Sequence, residues 1–207
     1  MNIENIEYFK YLLKFLPLAA IGTIMHEFGH WLCAVFQGSR AIISYGFTHL
    51  IDPLTNEFQY FIFIIGGPIS TWLTSIIGLL LLILYFRKRL SDQEYKMSGG
   101  HQISFFATLF CSRAVFNTSM WVVEKYLLNS GVGNSDEEKI SVYLGWPPEI
   151  LLFGGLIIVI IIILFSLFYL IPKSQRKLIL ITGIIGSLAG YVIWYYLLGP
   201  IILPVPS

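Results

Sequence analysis

The chain has 207 residues, 56% of them hydrophobic and only 12% charged, with a formal net charge of +1. Ordinary soluble domains carry about 25% charged residues, so this composition, with a mean hydropathy of +0.74, excludes an ordinary soluble domain and describes an integral membrane protein. The near-neutral balance is silent on nucleic acid, and no basic run is long enough to suggest that partner.

Taken in chain order, residues Asn2 to Leu16 read as an amphipathic helix lying in the membrane interface. Glu4, Glu7, Lys10 and Lys14 recur at helical spacing, opposite Ile3, Ile6, Phe9, Leu13 and Leu16. Acids in the first residues argue against a signal peptide. Pro17 suits the first turn of a helix. Pro17 to Phe36 then gives 20 apolar residues, about 30 Å of helix, matched to the hydrocarbon thickness. Gln37 to Glu57 is a polar and aromatic connection. Within it, Ala41 to Ile51 is rich in β-branched and aromatic residues and reads as a short strand or hairpin, with Asp52-Pro53 as a turn.

Phe58 to Phe86 forms the second apolar segment, interrupted by Gly66-Gly67-Pro68. It suits a kinked helix, or a re-entrant piece followed by a span. Gln102 to Leu128 is the third, Leu151 to Ile171 the fourth and Leu178 to Leu198 the fifth. The expected fold is therefore an all-α membrane protein with about five transmembrane helices, an N-terminal interfacial helix and a short hairpin after the first span. Residues 1–150 form a core and residues 151–207 supply two C-terminal helices of the same domain. Arg87, Lys88, Arg89 and Lys96, then Lys173, Arg176 and Lys177, share a face with Lys10 and Lys14. The positive-inside rule puts that face and the N-terminus in the cytoplasm. Cys33 and Cys111 fall in apolar segments and read as small buried hydrophobes rather than a disulfide framework.

His26-Glu27-Phe28-Gly29-His30 lies inside the first span. HExxH on a helix sets two imidazoles one turn apart on one face, where both can ligate Zn²⁺. The intervening Glu27 lies beside such a metal as a general base for water. Titratable groups in hydrocarbon cost about 2.5–3.5 kcal/mol each by insertion scales and normally mark a function. A catalytic zinc needs a third protein ligand. Asp136 is the candidate, because it follows the third span on the face toward which the C-terminal half of the first span points. Its bland reading is a solvated acidic loop or helix cap, and His49, Asp52 and Glu124 compete for the role. Cys33, one turn past His30, is a further possible thiolate. Arg113, Asn117 and Glu124 fall within about 40° on a helical wheel. They form a polar stripe that faces the bundle interior, either fixing helix packing or assisting the site.

The stretch Ile24-Met25-His26-Glu27-Phe28-Gly29-His30-Trp31 resembles the HExxH helix of the site-2 protease family of intramembrane zinc metalloproteases. Gly67-Pro68 is similar to the Gly-Pro element of that family, and Asn117 to Pro147 to the region where an aspartate completes the zinc site in its small, divergent bacterial members. The resemblance covers roughly the first 150 residues. It implies one Zn²⁺ held by His26, His30 and Asp136, Glu27 as base, a membrane-protein or peptide substrate, and a bacterial cytoplasmic membrane as location. Two positions depart from the family pattern. Glu137 stands where a glycine often follows the aspartate, and Ser70 and Thr71 lie where an asparagine commonly follows the Gly-Pro element.

Overall fold

The computed structural model describes residues 3–86, 96–128 and 135–206. Helix α1 (Ile3–Phe15) runs into α2 (Pro17–Phe36) through Leu16, whose φ of −53° and ψ of −47° are themselves helical. A hairpin of β1 (Ala41–Ile43) and β2 (Thr48–Leu50) follows, antiparallel, with Ile42 opposite His49. Helix α3 (Glu57–Leu81) is capped by the Asn56 side chain, contains Pro68, and ends in a wider π-helical turn over Leu82–Phe86. Then come α4 (Gly99–Thr108), α5 (Arg113–Tyr126), α6 (Asp136–Tyr143), α7 (Glu149–Phe165), α8 (Arg176–Ile193) and the short α9 (Gly199–Ile202).

Four helices among the described residues are long and apolar enough to cross a membrane: Ile6–Phe36, Glu57–Tyr85, Glu149–Leu170 and Lys173–Ile202. The third apolar segment is not among them. It is divided into α4 and α5 by a 3₁₀ turn, Leu109–Ser112. The break has a local cause in α3. Ser75 Oγ accepts the Cys111 N–H at 2.7 Å, and Gly78 brings the α3 backbone against Thr108, where any Cβ would lie 2.5 Å from the Thr108 nitrogen. Charges at Arg113, Glu124 and Lys125 further lower the hydropathy of α5.

The N-terminal helix does not stand apart from the bundle. Gly183, Gly186 and Gly190 of α8 form a groove that takes Phe15 and the backbone of Leu12 and Leu16. Small residues permit this close approach, which supplies packing where hydrophobicity cannot drive one helix onto another. At the same end Lys96 pairs with Glu7 at 3.1 Å, and the Met97 N–H donates to Gln175 Oε1 at 3.2 Å. Lys96, Lys173 and Arg176 are thus gathered with the start of α1. Arg87, Lys88 and Arg89 lie outside the described residues. The other end holds the hairpin, tied to the C-terminal helices by Trp194 Nε1 donating to the Tyr45 carbonyl at 2.8 Å.

A core of Tyr11, Phe15, Leu82, Phe105, Leu170 and Ile179 fills the basic half of the bundle, and a second of Ala34, Phe63, Ile64 and Ile140 the hairpin half. The buried stripe of α2, which includes Thr23, His26, Glu27, His30 and Ala34, runs between them.

Candidate metal centre

One face of α2 meets one face of α3. Phe63, Gly67 and Thr71 recur every four residues on α3, so they stack on the side that faces His26 and His30. Gly66, one turn from Ser70, lies against Gly29: a Cβ on either glycine would come within 2.5 Å of the other's carbonyl oxygen. Ser70 Oγ donates to the Met25 carbonyl at 2.7 Å. This run of small residues lets the two backbones approach closely enough for α3 to touch the imidazoles directly.

Both rings are held at Nδ1. His30 Nδ1 donates to the Phe63 carbonyl at 2.8 Å, and His26 Nδ1 bonds Thr71 Oγ1 at 2.9 Å. With Nδ1 carrying the proton, each Nε2 presents a lone pair. The two Nε2 atoms lie 3.1 Å apart, and Asp136 Oδ2 lies 2.9 Å from the first and 3.2 Å from the second. Three acceptors this close repel one another unless a cation or proton lies among them. A tetrahedral ion with bonds of about 2.0–2.1 Å holds its ligand atoms about 3.3 Å apart. Two imidazoles and one carboxylate, with their Nδ1 groups anchored by a hydroxyl and a carbonyl, are the donor set of a catalytic zinc. These three residues therefore fit the ion that the motif implies.

Asp136 reaches this point because α6 begins there. Ser135 caps the helix by accepting the Glu138 N–H, and the Glu138 carboxylate accepts the Ser135 N–H, a capping box. Helix α5 holds the same turn from the side. Asn117 Nδ2 donates to both Glu137 carboxylate oxygens at 3.2 and 3.3 Å, and Trp121 Nε1 to Glu138 Oε1 at 2.8 Å. Asn117 and Trp121 are one helical turn apart, so a single face of α5 positions the start of α6. Desolvation lifts neighbouring Glu137 above its ordinary value.

Glu27 is 3% exposed. Thr48 of β2 donates to its backbone carbonyl at 2.8 Å and lies 3.2 Å from Oε2, while Arg113 Nη2 stands 4.0 Å from Oε1. His26, Glu27 and His30 offer ligand-type atoms within 4.8 Å of one another. A carboxylate so placed can take a proton from a water held beside the imidazoles.

Of the rival ligands, Asp52, His49 and Cys33 have other neighbours. Asp52 is bonded by the Arg40 guanidinium at 2.8 and 2.9 Å, which lowers its carboxyl to about 2. The His49 ring packs on Phe47 at 4.5 Å, on the strand face opposite Thr48. Cys33 Sγ lies against Gly66, and both cysteines are free thiols. Of the polar stripe on the third segment, Arg113 turns to Glu27 and Asn117 to Glu137.

Sequence alone gives Gly67 only as part of a helix interruption and Gly-Pro element and Thr71 only as a departure from the family pattern, and it gives no role to the Phe63 carbonyl or Thr48. The four-residue spacing from Phe63 through Gly67 to Thr71 is the signal that could have found the first three. Gly67 gives a sharp prediction. Alanine normally favours a helix interior over glycine by about 1 kcal/mol. Here its Cβ would lie 2.5 Å from His26 Nε2 and 2.3 Å from His30 Nε2, and the Nδ1 bonds keep both rings from yielding. Gly67→Ala is expected to lose zinc binding with little loss of helix content, measured by metal analysis and circular dichroism. Full zinc content in that variant would refute this geometry.

No family model, curated protein or solved structure matches the chain.

Proposed function

We propose that this chain is an intramembrane zinc metallopeptidase that hydrolyses peptide bonds of membrane-associated or transmembrane substrates. The observation that carries this reading is the convergence of His26 Nε2, His30 Nε2 and Asp136 Oδ2 within 3.2 Å, with Glu27 buried beside them. His26, His30 and Asp136 would hold the zinc. Bound there, zinc supplies a Lewis acid that polarises the scissile carbonyl and lowers the pKa of water. Glu27 takes the proton of the attacking water and passes it to the leaving amine. Thr48 keeps the Glu27 carboxylate in place. Thr71 and the Phe63 carbonyl keep both imidazoles in the ligating tautomer.

The membrane setting completes the proposal. Four apolar helices, with the broken α4–α5 segment as a fifth crossing, make a multi-pass protein whose basic end, and with it the N-terminus, faces the cytoplasm. A helical substrate hides its carbonyls in backbone hydrogen bonds, so it must be extended before attack. β2 pairs with β1 alone among the described residues and carries Thr48, which touches Glu27. An extended substrate adding to β2 would lie beside the base.

The test uses purified protein in detergent micelles with a panel of transmembrane peptides. One zinc per chain and cleavage that a chelator abolishes and added zinc restores are the expected results. Failure of the zinc-replete protein to cleave any peptide would sink the peptidase reading and favour a metal-binding adaptor. Proline in place of His49, which breaks the hairpin pairing, should lower cleavage while zinc is retained. Unchanged cleavage would rule out strand addition.

A further inference from the structure

A cavity of about 630 Å³ lies within the bundle between α2, α5 and α8, inside the roughly 300–1,000 Å³ range of ligand pockets. Its α2 wall includes Ala19, Gly22 and Thr23. Gly22 and Thr23 precede His26 and Glu27 by four residues, so that wall leads up the same helix face into the candidate centre. Its α5 wall includes Arg113, Phe116 and Asn117, and Arg113 is the residue 4.0 Å from Glu27. The cavity is thus lined mainly by apolar side chains, and Arg113 links its wall to Glu27.

Two observations choose the occupant. Arg113 Nε is buried with no hydrogen-bond partner, and a desolvated guanidinium donor needs an acceptor. Hydroxyls also line the walls, among them the Thr23–Tyr195 pair at 3.2 Å and Ser187. An unwound polypeptide inside a membrane must find partners for its amides; an acyl chain has none to satisfy. We propose that this cavity binds the apolar stretch of a membrane-embedded polypeptide next to the bond to be cut, with a backbone carbonyl accepting from Arg113. The assignment rests on the peptidase reading above and adds where its substrate lies.

Gly22 allows the cavity to be filled: a Cβ there meets only Phe110, at 3.7 Å. The test reads binding rather than turnover. Zinc-loaded Glu27→Gln protein carries a photo-crosslinking amino acid in place of Phe116, or of Ile158, an exposed residue of α7, and is irradiated with a single-span synthetic peptide. Crosslinking at least fivefold stronger from position 116, and suppressed at least fivefold by Gly22→Leu, is expected. Ser187→Phe, which fills the cavity from α8, should suppress it equally, and zinc content should stay at one per chain in both. Equal crosslinking from both positions, insensitivity to both filling variants, or a co-purified phospholipid crosslinked at position 116 in place of the peptide would overturn the assignment. If wild-type protein nevertheless cleaves the peptide, the peptidase reading survives that loss. Specific crosslinking with a wild type that never cleaves supports the cavity as the polypeptide site and removes the peptidase reading alone.

Discussion

Glu27→Gln is expected to keep one zinc per chain and to lower kcat by about 10²–10⁴-fold, the usual worth of a general base. Glutamine has the same shape, and its side-chain oxygen can still accept from Thr48, so the contacts at 2.8 and 3.2 Å survive. The imidazoles keep their Nδ1 partners on α3, which Glu27 does not touch. What the amide lacks is basicity. A drop in kcat with unchanged KM and unchanged metal is therefore the signature of a base. Loss of zinc from Glu27→Gln would instead make Glu27 a ligand, a role its 4.8 Å neighbourhood with both histidines makes geometrically open. Retention of full activity would remove Glu27 from the chemistry and leave the non-catalytic reading.

Much of this arrangement can be read from the chain before any coordinates. The HExxH spacing names a helix face, and α2 buries that face. The β-branched run after it pairs as a hairpin, and the apolar runs from Phe58, Leu151 and Leu178 each build a long helix. Contacts between helices are harder to read. In a soluble protein, hydrophobic periodicity marks the side of a helix that meets its neighbours; in a chain apolar on nearly every side it marks nothing. The placement of α1 in the glycine groove of α8, and the break at Leu109–Ser112 over Ser75 and Gly78, are therefore not legible in the sequence. Small residues at three- and four-residue intervals are the available signal, and they do not name their partner helix. Asp136 was a candidate by position along the chain. Its approach to the histidines depends on Asn117 and Trp121 gripping the next two residues of α6, which no local pattern encodes.

Asp136→Ala is expected to abolish stoichiometric zinc binding and all metal-dependent cleavage. Replacing groups that merely orient metal ligands costs roughly 10–100-fold in affinity, and removal of a direct ligand must cost more. Among the described residues the carboxylate is also the only negative charge within 4.0 Å of both Nε2 atoms, so its loss removes the attraction for a divalent ion as well as a bond. Asp136→Asn keeps the shape and one acceptor oxygen, and should bind zinc more weakly than wild type and more strongly than the alanine variant. Two controls separate ligation from folding. Glu137→Gln leaves Oδ2 of Asp136 in place and should keep the metal. Ser135→Ala removes the helix cap at a cost of about 1 kcal/mol and should weaken binding only as far as α6 frays. Zinc analysis across the four variants, with thermal melts of each, decides the matter. Zinc at one per chain in Asp136→Ala would move the third ligand to another residue, with His49 and Glu124 the next to replace.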